Sequence, residues 1–144
     1  MRLAPWASAW LHGNVGDGGG AAVALVRVLI VDDQELFRRT ASAVVRESEG
    51  FEHVGSVATG EESAAAAQQL HADLVLMDVN LPGIDGFEST RRLRGLDAPP
   101  VVVLISTHDA EEFGEDVRRC GAAAYLAKSA FGPETLLSVW AGSA

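Results

Sequence analysis

The chain has 144 residues, 48% of them hydrophobic and 22% charged. That is the size and composition of one globular domain, and it excludes a disordered or fibrous chain. Acidic residues number 20 against 11 basic ones, a formal net charge of −9, so direct nucleic-acid binding by this chain is not expected. No apolar run reaches the ~20 residues of a membrane span. The lone Cys120 permits no internal disulfide, and His12, His53, His71 and His108 lack metal-ligand spacing. A cytoplasmic domain without membrane association is expected.

Residues 1–25 read as a leader distinct from the rest of the chain. Gly16, Gly18, Gly19 and Gly20 suit neither helix nor strand, and the segment before them, broken by Pro5 and Ser8, is no secretory signal. The leader is expected to be disordered. A sharper reading starts translation at Val26, from a codon that otherwise reads as valine.

From Val26 onward, apolar runs alternate with helical patterns. VRVLIV (26–31), DLVLM (73–77) and VVVLIS (101–106) are continuous apolar runs of the kind buried on both faces of a parallel sheet. FEHVGSV (51–57) mixes polar and apolar residues and predicts an edge strand. AAAYLA (122–127) predicts a fifth strand. Between them, Phe37, Ala41, Val44 and Val45 share one face of a helix over 35–48. Thr59-Gly60-Glu61-Glu62 reads as a capping box before EESAAAAQQL. Asp85 caps a third helix that runs to about Arg94 and stops at Gly95 and Pro99-Pro100. Phe113, Val117 and Cys120 share a face of a fourth helix that ends at Gly121, which makes Cys120 a small buried hydrophobe. Pro133 opens a fifth helix reaching about Trp140. The order is (βα)5, an α/β doubly wound parallel sheet with right-handed crossovers.

Such sheets carry their sites at the carboxyl ends of the strands. There the polar residues are chemically coherent: Asp32 and Asp33 after the first strand, Asp78 after the third, Ser106 and Thr107 at the fourth, and Lys128 just past the fifth. Taken singly, Asp33 reads as a helix cap, Asp78 as a turn residue, Ser106 and Thr107 as caps and Lys128 as a solvated lysine. Their common rim favours a site. Three carboxylates together repel and need a cation, and all-oxygen ligands suit Mg2+. A carboxylate is also a competent nucleophile toward a phosphoryl group.

The segments VLIVDDQELFRR, LVLMDVNLPGIDGFE, VVVLIST and AAYLAKS resemble, in order and spacing, the four signatures of the receiver domain of bacterial two-component response regulators. The resemblance covers about residues 26–141. It implies the flavodoxin-like strand order 2-1-3-4-5. It implies Asp78 as phosphoacceptor, charged by a sensor histidine kinase or a phosphotransfer protein. Asp33 would be a direct Mg2+ ligand, Asp32 would act mainly through water, and the main-chain carbonyl of Asn80 would complete the metal set. Lys128 would contact the phosphoryl group, with Ser106, Thr107 and Tyr125 forming the switch, while Pro82, Gly83 and Gly86 shape the loop after the acceptor. Phosphorylation would remodel the face of the fourth helix, fifth strand and fifth helix, where a downstream protein or a second copy docks as a homodimer.

Two positions depart from the family pattern. Many receivers carry a cis proline after the lysine. Here Ser129 follows Lys128, and a cis bond there would cost about 3 kcal/mol. Thr107 stands where a smaller residue is common and narrows access to the acceptor. In wording, SEGFEHVGSVATGEES and AKSAFGPETLL are most similar to receivers that precede a LuxR-type helix-turn-helix. Too few residues follow Lys128 for an output domain, and none is expected. The chain therefore reads as a stand-alone signalling receiver rather than an enzyme. The alternative is a truncated or split LuxR-type transcription regulator lacking its DNA-binding domain. An unrelated flavodoxin-like enzyme or a degenerate receiver is the weakest reading, since every signature position is filled.

Overall fold

The five expected strand segments become five parallel strands in a computed structural model that describes residues 24–107 and 114–143. The strands are β1 (Val26–Val31), β2 (Phe51–Val57), β3 (Leu74–Asp78), β4 (Val101–Ser106) and β5 (Ala124–Ala127). The helices are α1 (Glu35–Glu47), α2 (Ser63–Gln69), α3 (Gly86–Arg94), α4 (Gly114–Cys120) and α5 (Pro133–Ala141). The sheet order is β2-β1-β3-β4-β5, so the half-polar β2 is an edge strand, as its sequence requires. Boundaries move slightly from the sequence expectations: β3 includes Asp78, and β5 begins at Ala124 rather than Ala122. Leucine, isoleucine and valine fill β1, β3 and β4 because helices cover both faces. Phe113, assigned to the fourth helix from sequence, lies outside the described residues, as do residues 1–23 of the leader.

Alternation along each strand sorts the side chains into two cores. Val28, Ile30, Leu74, Leu76, Val103 and Ile105 face α1 and α5, where they meet Ala41, Val45, Leu136 and Trp140. Leu29, Val31, Val75, Met77, Val102 and Leu104 face the other way, toward Ala67 of α2, Phe87 and Leu93 of α3, and Cys120 of α4. Each fully buried leucine or isoleucine contributes roughly 1.5–3 kcal/mol relative to exposure. The expected face of α1 is present: Ala41 and Val45 are buried, and Phe37 packs partly buried against the same core. Burial also pushes the Cys120 thiol pKa up, consistent with its reading as a small hydrophobe.

Local signals act where the sequence puts them, with one adjustment. Asp85 Oδ1 accepts from the Glu88 N–H at 2.9 Å and caps α3, a bond of about 1 kcal/mol. The Thr59 hydroxyl accepts from the Glu62 N–H at 3.3 Å and donates to Glu62 Oε2 at 2.7 Å. That motif closes the turn before α2 rather than its first residues, because regular helix begins only at Ser63. Pro133 is the first residue of α5, and α4 ends at Cys120, directly before Gly121 at φ +91°.

Candidate functional site

Register brings the strand ends level. Val31 on β1 pairs with Met77 on β3, so Asp32 and Asp78 lie side by side one residue further on. On the other flank Asp78 pairs with Ile105, and Ser106 with Ala127, which sets Lys128 just past the end of β5. By the same alternation, Asp32 and Asp78 follow Ile30 and Leu76 toward the α1 side.

Asp32 is fully buried. Its Oδ1 accepts from the Gln34 N–H at 2.8 Å, its carbonyl accepts from the Arg38 guanidinium at 2.7 Å, and its Oδ2 lies 2.7 Å from Lys128 Nζ. Asp33, next in the chain, is exposed. Asp78 is 4% exposed, with Oδ1 accepting from the Asn80 N–H at 3.3 Å and Oδ2 lying 3.7 Å from Lys128 Nζ. One carboxylate oxygen from each of Asp32, Asp33 and Asp78 falls within 4.8 Å of the others. Asp33 does not cap α1: the capping position is Gln34, which makes no side-chain capping bond.

Burial raises the Asp78 carboxyl pKa from 3.8 to about 6, with a further upward push from Asp32 and a small one from Asp33. The Lys128 ammonium and the Asn80 N–H pull the other way. The Lys128 ammonium thus meets two buried carboxylates while Asp33 adds a third at the exposed edge, and the excess negative charge invites a small hard cation.

The loop after Asp78 is shaped by close contacts. Gly83 has φ +76°, a conformation that side chains disfavour. The Glu61 carboxylate accepts from the Ile84 N–H at 3.1 Å and so ties this loop to the turn before α2. Ser106 is buried at the end of β4 and Thr107 beyond it is exposed. Alternation gives Ser106 the parity of Leu104, and Tyr125 packs partly buried against that same α2–α4 core. The structure therefore brings Asp32, Asp33, Asp78 and Lys128 together on one side, and sets Ser106 and Tyr125 on neighbouring strands with the parity of the other.

The Lys128–Ser129 bond is trans: the described residues contain no cis peptide. In place of a cis-proline turn, residues Lys128–Ala130 form one turn of 3-10 helix. The Thr135 hydroxyl holds that turn against α5, donating to the Ala130 carbonyl at 2.7 Å and accepting from the Gly132 N–H at 2.9 Å. Phe37, read from sequence only as core, stands under the lysine with its ring centroid 4.5 Å from Nζ. Neither this contact nor that of Glu61 has a local sequence signal, since each joins distant parts of the chain.

The fold and this rim define a response regulator receiver domain of two-component systems, and the chain belongs to that family: the model of the response regulator receiver domain matches residues 28–140. Among curated relatives, the response regulator GacA of Pseudomonas viridiflava is 38% identical over 106 residues, 74% of this chain and 50% of the relative. The response regulator UvrY of Escherichia coli K12 is 31% identical over 115 residues, 80% of this chain and 53% of the relative. The chain thus spans about half the length of the curated relatives it matches. Among solved structures, the signal receiver domain of NarL from Mycobacterium tuberculosis superposes with a TM-score of 0.73 at 28% identity, covering 79% of this chain and 94% of that one.

Proposed function

We propose that this receiver domain accepts a phosphoryl group on Asp78 from a phosphohistidine of a sensor kinase or phosphotransfer protein. The observation that carries the reading is the meeting of three carboxylates and the Lys128 ammonium at the carboxyl edge of the sheet. A carboxyl group with a pKa of about 6 is mostly ionised at neutral pH, so Asp78 needs no general base. One of its oxygens attacks phosphorus, the P–N bond breaks as the P–O bond forms, and the imidazole leaves. Lys128, already 3.7 Å from Asp78, balances charge on the incoming phosphoryl oxygens.

The donor set fits Mg2+: hard oxygens, two of the three carboxylates buried, and too few cations to neutralise them. Asp33, Asp78 and the Asn80 carbonyl would hold the ion, with Asp32 acting through water, and the ion would neutralise charge on the transferring group. Asp32 suits an indirect role because both its oxygens are engaged.

Output comes from Ser106, Thr107 and Tyr125, which shift with the phosphoryl group and remodel the face of α4, β5 and α5 for a downstream protein or a second copy. No enzymatic turnover is assigned beyond the domain's own phosphorylation and dephosphorylation. A stand-alone receiver and one half of a LuxR-type regulator share this chemistry. Treatment with a small acyl phosphate and Mg2+ followed by intact-mass spectrometry tests the reading. A single acid-stable, hydroxylamine-sensitive phosphoryl group on the wild-type chain and none on Asp78→Asn is expected. Equal phosphate on both would overturn it.

A further inference from the structure

Lys128 is the only lysine in the chain, and it is held in an unusual cage. Its side chain is only 10% exposed. On one side Nζ meets Asp32 at 2.7 Å and Asp78 at 3.7 Å, and on another it lies 4.5 Å from the Phe37 ring centroid. Phe37 comes from α1, four residues after Asp33. Its ring in turn leans on Phe131, with centroids 6.2 Å apart and planes tilted by 50°. Phe131 is the residue that closes the 3-10 turn carrying Lys128, donating its N–H to the Lys128 carbonyl at 3.2 Å. Two aromatic rings therefore clamp both ends of this turn: one under the ammonium, one at its exit. The turn lacks the proline that would stiffen it.

We infer that Phe37 is a positioning residue for Lys128, holding the ammonium over its ring face so that it reaches the phosphoryl position while staying paired with Asp32. The inference rests on the phosphoryl-accepting role proposed for Asp78. Its physical basis is the shape of the attraction. A ring quadrupole draws a cation toward its face but imposes no donor–acceptor line. An ammonium on such a face can pivot from Asp32 toward a group on Asp78 without losing that contact. Phe37 thus limits Lys128 to the arc between the two carboxylates. A leucine at the same place would fill the volume and leave the ammonium free to swing into solvent. The Phe37–Phe131 contact makes the same ring brace the turn.

The single lysine makes the test direct. Lysine labelled with carbon-13 at Cε, incorporated into the full chain, gives one ε-methylene signal. In the wild type that signal is expected upfield of its free position through the Phe37 ring current. Phe37→Leu should return it to the free position and slow phosphorylation by acetyl phosphate about tenfold. Phe37→Trp should restore both the upfield signal and the rate, whatever either variant does to melting temperature. An unshifted wild-type signal, or a Phe37→Leu rate equal to wild type, would overturn the inference. So would a Phe37→Trp variant that regains the shift but not the rate. The NMR signal needs no phosphate chemistry, so a wild type that shows the shift yet takes no phosphate would reject the phosphoryl-accepting role instead, and with it the purpose assigned to the held lysine.

Discussion

Gly86 has no room for a side chain beside Asp78: a Cβ built there would stand 2.3 Å from the Asp78 carbonyl oxygen and 2.8 Å from Val79 Cα. The first residue of α3 is thus pressed against the backbone of the proposed acceptor, and its own N–H donates to the Val79 carbonyl at 2.9 Å. Backbone cannot rotate away as a side chain can. Gly86→Ala is therefore expected to move the loop between Asp78 and α3 and to destabilise the domain by about 1–3 kcal/mol. Denaturant unfolding would measure the loss, and phosphorylation by acetyl phosphate should slow in parallel.

Metal-free stability should fall as pH rises from 4 to 7, and Asp78 is the cause. Its carboxyl pKa is about 6 when folded and 3.8 as the reference value. Between those values the folded state keeps a proton that the unfolded state has lost, so folding is penalised progressively as pH rises. Below about pH 4 both states hold the proton, and above about 6 the penalty is complete. Its ceiling is about 3 kcal/mol, nearer 1–2 kcal/mol once solvent screening at the rim is allowed for. Asp78→Asn should accordingly melt higher than wild type at pH 7.5 in chelator and equally at pH 4. Thermal melts at the two pH values check it, and a variant less stable at pH 7.5 would contradict the assigned shift.

The adjacent acidic residues should contribute unequally to metal affinity. Asp32 spends one oxygen on the Gln34 N–H and the other on Lys128, whereas Asp33 is exposed at the rim. Calorimetric titration with Mg2+ is expected to show binding lost in Asp33→Ala. In Asp32→Ala it should be weakened about 10–100-fold, the scale of removing an outer partner. Equal affinities would contradict the roles assigned to the pair.

Occupancy of the phosphoryl position should be felt on the α4–β5–α5 face. Ser106 ends β4 and Lys128 directly follows β5, and Tyr125 on β5 packs against the core that Val117 and Cys120 of α4 share. Amide exchange with and without beryllofluoride, a phosphoryl mimic, is expected to change across residues 114–120 and 125–140 as well as around Asp78. Protection changes confined to the loops at Asp33 and Asp78 would show that the ligand binds without switching this surface.

The chemistry of single residues and their nearest neighbours was legible in the amino-acid order. Apolar runs with no polar interruption specify strands buried on both faces, and Asp85 and Pro133 mark helix starts because their effects act within one turn. Alternation of strand and helix then forces a parallel sheet, whose carboxyl edge collects whatever polar residues end the strands. That Asp32, Asp33, Asp78 and Lys128 share a rim follows from this much. Which carboxylate takes the ammonium does not: the 2.7 Å pairing with Asp32 and the 3.7 Å distance to Asp78 depend on strand register and on how deeply each oxygen is buried. The trans bond at Ser129, the 3-10 turn behind it, the Phe37 ring beneath Lys128 and the Glu61 tie to Ile84 belong to the same class. The Phe37 and Glu61 contacts join segments tens of residues apart, and periodicity reports only that a residue is buried, never what it is buried against. Local order therefore determined the elements and the chemical character of the rim. Packing of helices on the sheet decided how the charges within that rim are paired, because only there does burial make each ångström of separation matter.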